Sequence, residues 1–119
     1  QRRVLAARVG ACLVVDLYVP NGSEVGSEKY AYKLAWLDAL GAWLADLLAS
    51  EPRVVVLGDF NIAPEDRDVH DPEAWQGKIL CSDAERARLQ ALTRLGLVDV
   101  FRSFEQAPQS FSWWDYRGG

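Results

Sequence analysis

The chain has 119 residues, 50% of them hydrophobic and 25% charged, enough to bury a core of single-domain size. No uninterrupted apolar segment approaches the roughly 18 residues a membrane span needs, and no signal peptide is visible. A net charge of −4 and a pI near 4.9 announce no broad phosphate-binding surface. Cys12 and Cys81 stand outside any Cys-x-x-Cys pair or His cluster. They read as reduced thiols of a cytosolic protein, Cys12 packed in its strand, and argue against a zinc site.

In chain order, Arg3 to Val9 and Leu13 to Val19 read as two strands joined at Gly10-Ala11 in an antiparallel hairpin. The second ends in a polar cluster in which Tyr18 and Asn21 flank Pro20, a residue that forbids further ladder pairing. On the residues alone this cluster is either a core tyrosine followed by a Pro-Asn-Gly turn or a site at a strand end. A Gly- and Ser-rich loop from Pro20 to Ser27 leads into a long helix, about Glu28 to Ala49. One face of that helix carries Tyr30, Leu34, Leu37, Gly41, Leu44 and Leu48. Gly41 costs about 1 kcal/mol relative to alanine there, which close packing on a sheet would explain. Trp36 and Trp43, one stripe over, read as core.

After Pro52, the run Val54-Val55-Val56-Leu57 predicts a strand buried on both faces of a sheet. Gly58 stops it, and Asp59 and Asn61 follow with one residue between them. Strand alternation would point both the same way at the carboxyl end of the strand, where sheet enzymes usually place their chemistry. A carboxylate beside a carboxamide suits a hard divalent cation, an activated water and a phosphoryl oxygen. The same residue types are ordinary turn formers, so the motif alone leaves both readings open. The order strand, strand, helix, strand suits an α/β sheet layered with helices.

Between Asp59 and Cys81 the chain reads as a long polar loop without periodicity, a length usual for functional or disordered segments. His70, the single histidine, reads as an exposed loop residue, since one His makes a poor ligand set. Asp68 reads as a tie from this loop to the backbone near Asp59. Ser82-x-x-Glu85 is a capping box opening the next helix, Gly96 its stop, and Leu89, Leu92 and Leu95, with Ala91 in part, its inner face. Asp99 reads as the cap of a short helical turn at Val100 to Ser103. Two basic clusters, Arg2, Arg3 and Arg8, then Arg86, Arg88 and Arg94, are open to readings as solvated faces or as phosphate contacts. The stretch Phe111 to Arg117 alternates like a strand, with Phe111, Trp113 and Asp115 on one face and Ser112, Trp114 and Tyr116 on the other. By pattern alone Trp113 is a core residue.

Four segments taken together, Tyr18-Val-Pro-Asn-Gly22, Gly58-Asp-Phe-Asn-Ile-Ala-Pro64, Gly96-Leu-Val-Asp-Val-Phe-Arg102 and Phe111-Ser-Trp-Trp-Asp-Tyr-Arg117, resemble the exodeoxyribonuclease III family. This is the bacterial branch of the abasic-site endonucleases, within the endonuclease/exonuclease/phosphatase superfamily. The resemblance runs from about Val4 to Arg117. Gly-Asp-x-Asn is shared across the superfamily, whereas Trp-Trp-Asp-Tyr-Arg and Asp66-Arg-Asp-Val-His-Asp-Pro72 are more specific for the DNA-repair branch.

The resemblance implies an α/β fold, a four-layered α/β sandwich of the endonuclease/exonuclease/phosphatase type, incomplete at both ends. Residues 1–119 would be the central part of a single domain, in keeping with the absence of any methionine. A metal-binding glutamate and an early asparagine would precede the chain, and a further aspartate and a Ser-Asp-His motif would follow it. The implied activity is magnesium-dependent DNA-repair phosphodiester cleavage: 3′-to-5′ exonuclease action on duplex DNA, and endonuclease action 5′ to abasic sites. Mg2+ would be the cofactor, with Mn2+ as substitute, and double-stranded DNA the partner. The full-length protein would be a cytoplasmic monomer that engages no membrane. Tyr18, Asp59 and Asn61 would be catalytic, with Asp59 either the base that deprotonates the attacking water or chiefly a metal ligand alongside Asn61. Tyr18 would donate to the phosphate or bind as a phenolate near the metal, supported by Asn21. Trp113 would wall the pocket for the flipped abasic sugar, a task an aromatic face suits. Trp75, Gln76 and Lys78 would lie near the DNA. Other phosphodiesterases and phosphatases of the superfamily, and a noncatalytic DNA- or protein-binding fragment, are the alternative readings.

Overall fold

The computed structural model describes residues 3–103 and 112, and the chain divides into two compact units, residues 1–61 and 62–119. Phe111, Trp113, Trp114 and the rest of the aromatic end lie outside the described residues, as does Arg2.

The first unit contains β1 (Val4–Val9), β2 (Cys12–Tyr18), α1 (Glu28–Ser50) and β3 (Val54–Asp59). β1 pairs antiparallel with β2 through a tight turn at Gly10, whose φ is +59°. β2 pairs in parallel with β3, giving a mixed sheet in the order β1-β2-β3. Parallel neighbours cannot be joined by a tight turn, and α1 supplies the crossover. That helix starts where Ser27 accepts the Tyr30 amide at 3.1 Å, with Glu28 in its first turn.

The core of this unit pairs the alternate residues Val15, Leu17 and Val19 with a helical stripe of Tyr30, Lys33, Leu37, Leu40 and Leu44. Its spacing of three and four residues is that of one helix face. Three expected members, Tyr30, Leu37 and Leu44, are in it. Lys33 and Leu40 join them, while Leu34, Gly41 and Leu48 are only half-buried. Trp36 and Trp43 are not core residues: they flank the stripe, Trp36 half-buried and Trp43 exposed.

β3 is not buried on both faces. It is an edge strand, with Val55 44% and Leu57 43% exposed. Asp16 and Tyr18 of β2 and Leu5 and Val9 of β1 are exposed too. Among its described residues this unit has one helix, and one helix covers one face of a sheet.

In the second unit the expected loop is not featureless. It contains a 3₁₀ turn at Asp66–Asp68 and a short helix, α2 (Pro72–Trp75). The cause is local capping: Asp71 accepts the Ala74 amide at 3.2 Å, and proline sits at the first helical position. Asp68 accepts the amide of Glu65 at 3.0 Å, rather than one close to Asp59. A small core of Ala63, Val69, Leu80 and Cys81, with Trp75 and Ile79 packed on it, holds this segment. Burial pushes the Cys81 thiol up from its ordinary range, opposed by the nearby Arg86 guanidinium.

α3 (Asp83–Thr93) opens as expected at Ser82, whose hydroxyl accepts the Glu85 amide at 3.3 Å and donates to Glu85 Oε1 at 2.8 Å. The other oxygen of the buried Glu85 takes the amide of Leu80 at 3.0 Å. Only Leu92 of the expected inner face is fully buried; Leu89 is half-buried and Leu95 exposed. Asp99 accepts the Arg102 amide at 3.2 Å and so caps the 3₁₀ turn Phe101–Ser103. No helix among the described residues is long and apolar enough to cross a membrane.

Candidate active site at the ends of two parallel strands

The register of β2 and β3 makes Tyr18 and Asp59 direct partners at the carboxyl ends of neighbouring parallel strands. Strand spacing puts their backbones about 4.8 Å apart. The Val19 amide extends the pairing, donating to the Asp59 carbonyl at 2.9 Å. Both side chains are exposed, so a carboxylate and a phenol stand together at one sheet end.

Gly58 is what allows this approach. Its φ is +125°, and a Cβ there would lie 2.0 Å from the Leu17 carbonyl oxygen and 2.8 Å from Asp16 Oδ1. Only glycine combines that dihedral with that closeness.

Asp59 is anchored by one oxygen, which accepts the Asn61 amide at 2.9 Å. Asn61 does not continue the strand alternation. The strand ends at Asp59, and Asn61 takes a left-handed φ of +48°, a conformation asparagine tolerates better than most residues. Its side chain is therefore buried: Nδ2 donates to the Val19 carbonyl at 2.8 Å, and Oδ1 lies 3.5 Å from Asn21 Nδ2. Asn21 itself is exposed and accepts the Ser23 amide at 3.2 Å, an Asx turn. Asn61 thus ties the loop after β2 to the loop after β3, and Asp59 presents the charge.

Arg3 sits with its guanidinium 5.0 Å from the Tyr18 ring centroid and donates to the Tyr18 carbonyl at 3.3 Å. A cation held against a ring face restrains that ring. The sequence signal for this contact lay only in the hairpin register, which brings Arg3 opposite the end of β2.

Of the other residues singled out, Arg8 pairs with Glu51 at 2.7 Å, and Arg86 donates to the Ala63 carbonyl at 2.8 Å and to Asp66 at 3.0 Å. Trp75 packs on the small core of its own unit, while Gln76, Lys78 and His70 are exposed. Trp113 lies outside the described residues.

The donors at the strand ends are oxygens throughout, the chemistry of a hard divalent cation rather than of zinc. Among the described residues no three His, Cys, Asp or Glu side chains gather into a ligand set. Asp59 is a charged oxygen donor of the kind such a cation takes.

An exposed carboxylate and phenol thus stand at the carboxyl end of a mixed α/β sheet, the end at which open α/β sheets usually carry their ligands. A model of the endonuclease/exonuclease/phosphatase family matches residues 2–119, and the chain belongs to that family. The exodeoxyribonuclease of Bacillus subtilis (strain 168) is 32% identical over 118 residues, 98% of this chain and 46% of that protein. The solved 3′-5′ exonuclease NExo of Neisseria meningitidis superposes with a TM-score of 0.93 at 44% identity, over 99% of this chain and 46% of that one. An AP endonuclease from Archaeoglobus fulgidus superposes with a TM-score of 0.87 at 34% identity, over 97% of this chain and 45% of that one. The fold is thus the α/β fold of these exonucleases and AP endonucleases. The chain spans about half the length of these proteins.

Proposed function

We propose that the protein carrying this chain is a divalent-metal-dependent DNA-repair nuclease, with 3′-to-5′ exonuclease activity on duplex DNA and endonuclease activity 5′ to abasic sites. The observation that carries the reading is the register pair Tyr18–Asp59, set at adjacent strand ends by Gly58. The names of the similar proteins, an exodeoxyribonuclease, a 3′-5′ exonuclease and an AP endonuclease, support the DNA substrate.

Asp59 has one carboxylate oxygen fixed by the Asn61 amide. In this reading it orients and deprotonates the attacking water or shares in holding Mg2+, and Mn2+ substitutes. The bound cation would polarise the scissile phosphate and offset charge on the leaving oxygen. Tyr18 presents its hydroxyl to the phosphate, with Arg3 against its ring. Asn21 and Asn61 keep the two loops at their spacing, and Asn61 Oδ1 is the oxygen it could turn to a ligand. Trp113 is assigned to the wall of the abasic-sugar pocket. Double-stranded DNA is the partner, and the protein acts as a cytoplasmic monomer.

The test is Asp59→Asn in the full-length protein, assayed on an abasic-site duplex and on an intact duplex. Cleavage is expected to fall about a hundredfold or more on both, since a positioned base typically contributes that much. DNA binding by filter or gel-shift assay is expected to persist, because the change removes a charge that repels phosphate. Near-normal turnover would take Asp59 out of the mechanism.

A further inference from the structure

α1 carries a lysine where its sequence position asks for a core residue. Lys33 is 0% exposed, inside the stripe formed by Tyr30, Leu37, Leu40 and Leu44. Burying an ammonium is costly unless hydrogen bonds replace its water. Here Nζ donates to the Asn61 carbonyl at 2.5 Å and to the Asn21 carbonyl at 3.2 Å. Those carbonyls belong to the two loops that leave the strand ends bearing Tyr18 and Asp59.

Asn61 is consequently held from three of its four polar groups. Lys33 takes its carbonyl, Asp59 Oδ1 its amide at 2.9 Å, and the Val19 carbonyl its side-chain nitrogen at 2.8 Å. The left-handed φ of +48° is kept in place by these bonds rather than by local preference alone. A chain of contacts therefore runs from the helix core through Asn61 to the carboxylate of Asp59.

We propose that Lys33 is a positioning residue for this site: its buried ammonium clamps the loops after β2 and β3 together and, through the Asn61 amide, sets the orientation of the Asp59 carboxylate. Lys33 is fully buried, so its effect reaches the site through Asn61. Its effect on catalysis rests on the functional reading given above, whereas the clamp itself does not.

The experiment compares Lys33→Met, which keeps the stem and removes the ammonium, with Leu44→Ala, a fully buried site on the same helix away from the loops. Both are made in the full-length protein. Hydrogen exchange at the Asn61 amide is expected to quicken at least about tenfold in Lys33→Met after correction for global stability, and not in Leu44→Ala. On an abasic-site duplex, kcat of Lys33→Met is expected to fall about tenfold to a hundredfold with KM within about threefold, as for a misplaced catalytic group. Unchanged protection at Asn61 overturns the clamp. An equal loss of kcat in Leu44→Ala at matched folded fraction overturns the positioning role. In the wild-type protein the Lys33 ammonium protons are expected to give a slowly exchanging NMR signal, and exchange as fast as that of exposed lysines overturns the proposal without any variant. A wild-type protein that cleaves no DNA would refute the functional reading, while the exchange measurements still decide the clamp.

Discussion

Single residues at the strand ends divide their work by exposure. Asp59 and Tyr18 face solvent, whereas Asn61, two positions on from Asp59, is turned inward by one left-handed dihedral. Gly58 shows how strictly such a position constrains the chain. A methyl group there would lie 2.0 Å from the Leu17 carbonyl oxygen, a backbone atom that cannot swing aside. Gly58→Ala is expected to cost at least about 1–3 kcal/mol for its positive φ alone, with the backbone clash added. Chemical denaturation measures this, and a loss below about 0.5 kcal/mol would show that the strand relaxes freely around the site. Because β3 must shift for the methyl to fit, cleavage should fall with stability.

Elements of the second unit are held by buried charge as much as by apolar contact. Asp68 is 1% exposed at its side chain, and its two oxygens take the Glu65 amide at 3.0 Å and the Arg102 guanidinium at 2.7 Å. The first bond closes the 3₁₀ turn at Asp66–Asp68, and the second ties that turn to the one at Phe101–Ser103. Asp68→Ala removes the carboxylate paired with a guanidinium that is itself only 9% exposed. Removing one partner of such a pair typically costs about 3–5 kcal/mol. A thermal melt of the full-length variant checks it, and replacing both partners with apolar residues should recover much of the loss. A melting temperature within a degree of wild type would return the pair to the status of a surface contact. α1 makes the same point from the first unit, because its buried stripe includes an ammonium as well as hydrocarbon.

For the chain as a whole, the single carboxylate that the described residues place at the strand ends, Asp59, and a sheet face that exposes Leu5, Val9, Val55 and Leu57 have a joint consequence. Mg2+ dehydrates reluctantly and is poorly held by a single carboxylate with neutral oxygens. The 119-residue chain alone is therefore expected to show no magnesium-dependent nicking of an abasic-site duplex, with an Asp59→Asn sample reporting contaminating nuclease. Its apolar face and open β3 edge are expected to bind hydrophobic dyes and to favour aggregation. Nicking at millimolar magnesium that disappears in the control would show that the residues present suffice.

Much of this was legible in the residues because it depends on local physics. The hairpin at Gly10, the start of α3 at Ser82 and the Asp99 turn each rest on hydrogen bonds within a few positions of the chain. Gly-Asp-x-Asn by itself left a turn and a site equally open, since glycine, aspartate and asparagine serve both. What the tertiary structure alone decided depends on who lies opposite. A run of valines gives the same pattern whether a sheet is covered on one face or two, so β3 came out half-exposed. The apolar face expected for α1 did not include Lys33, since periodicity cannot see that two loop carbonyls lie at the end of its stem. Alternation aimed Asn61 beside Asp59, but its hydrogen bonds to Val19 and Lys33, contributed by segments distant in the chain, turned it inward.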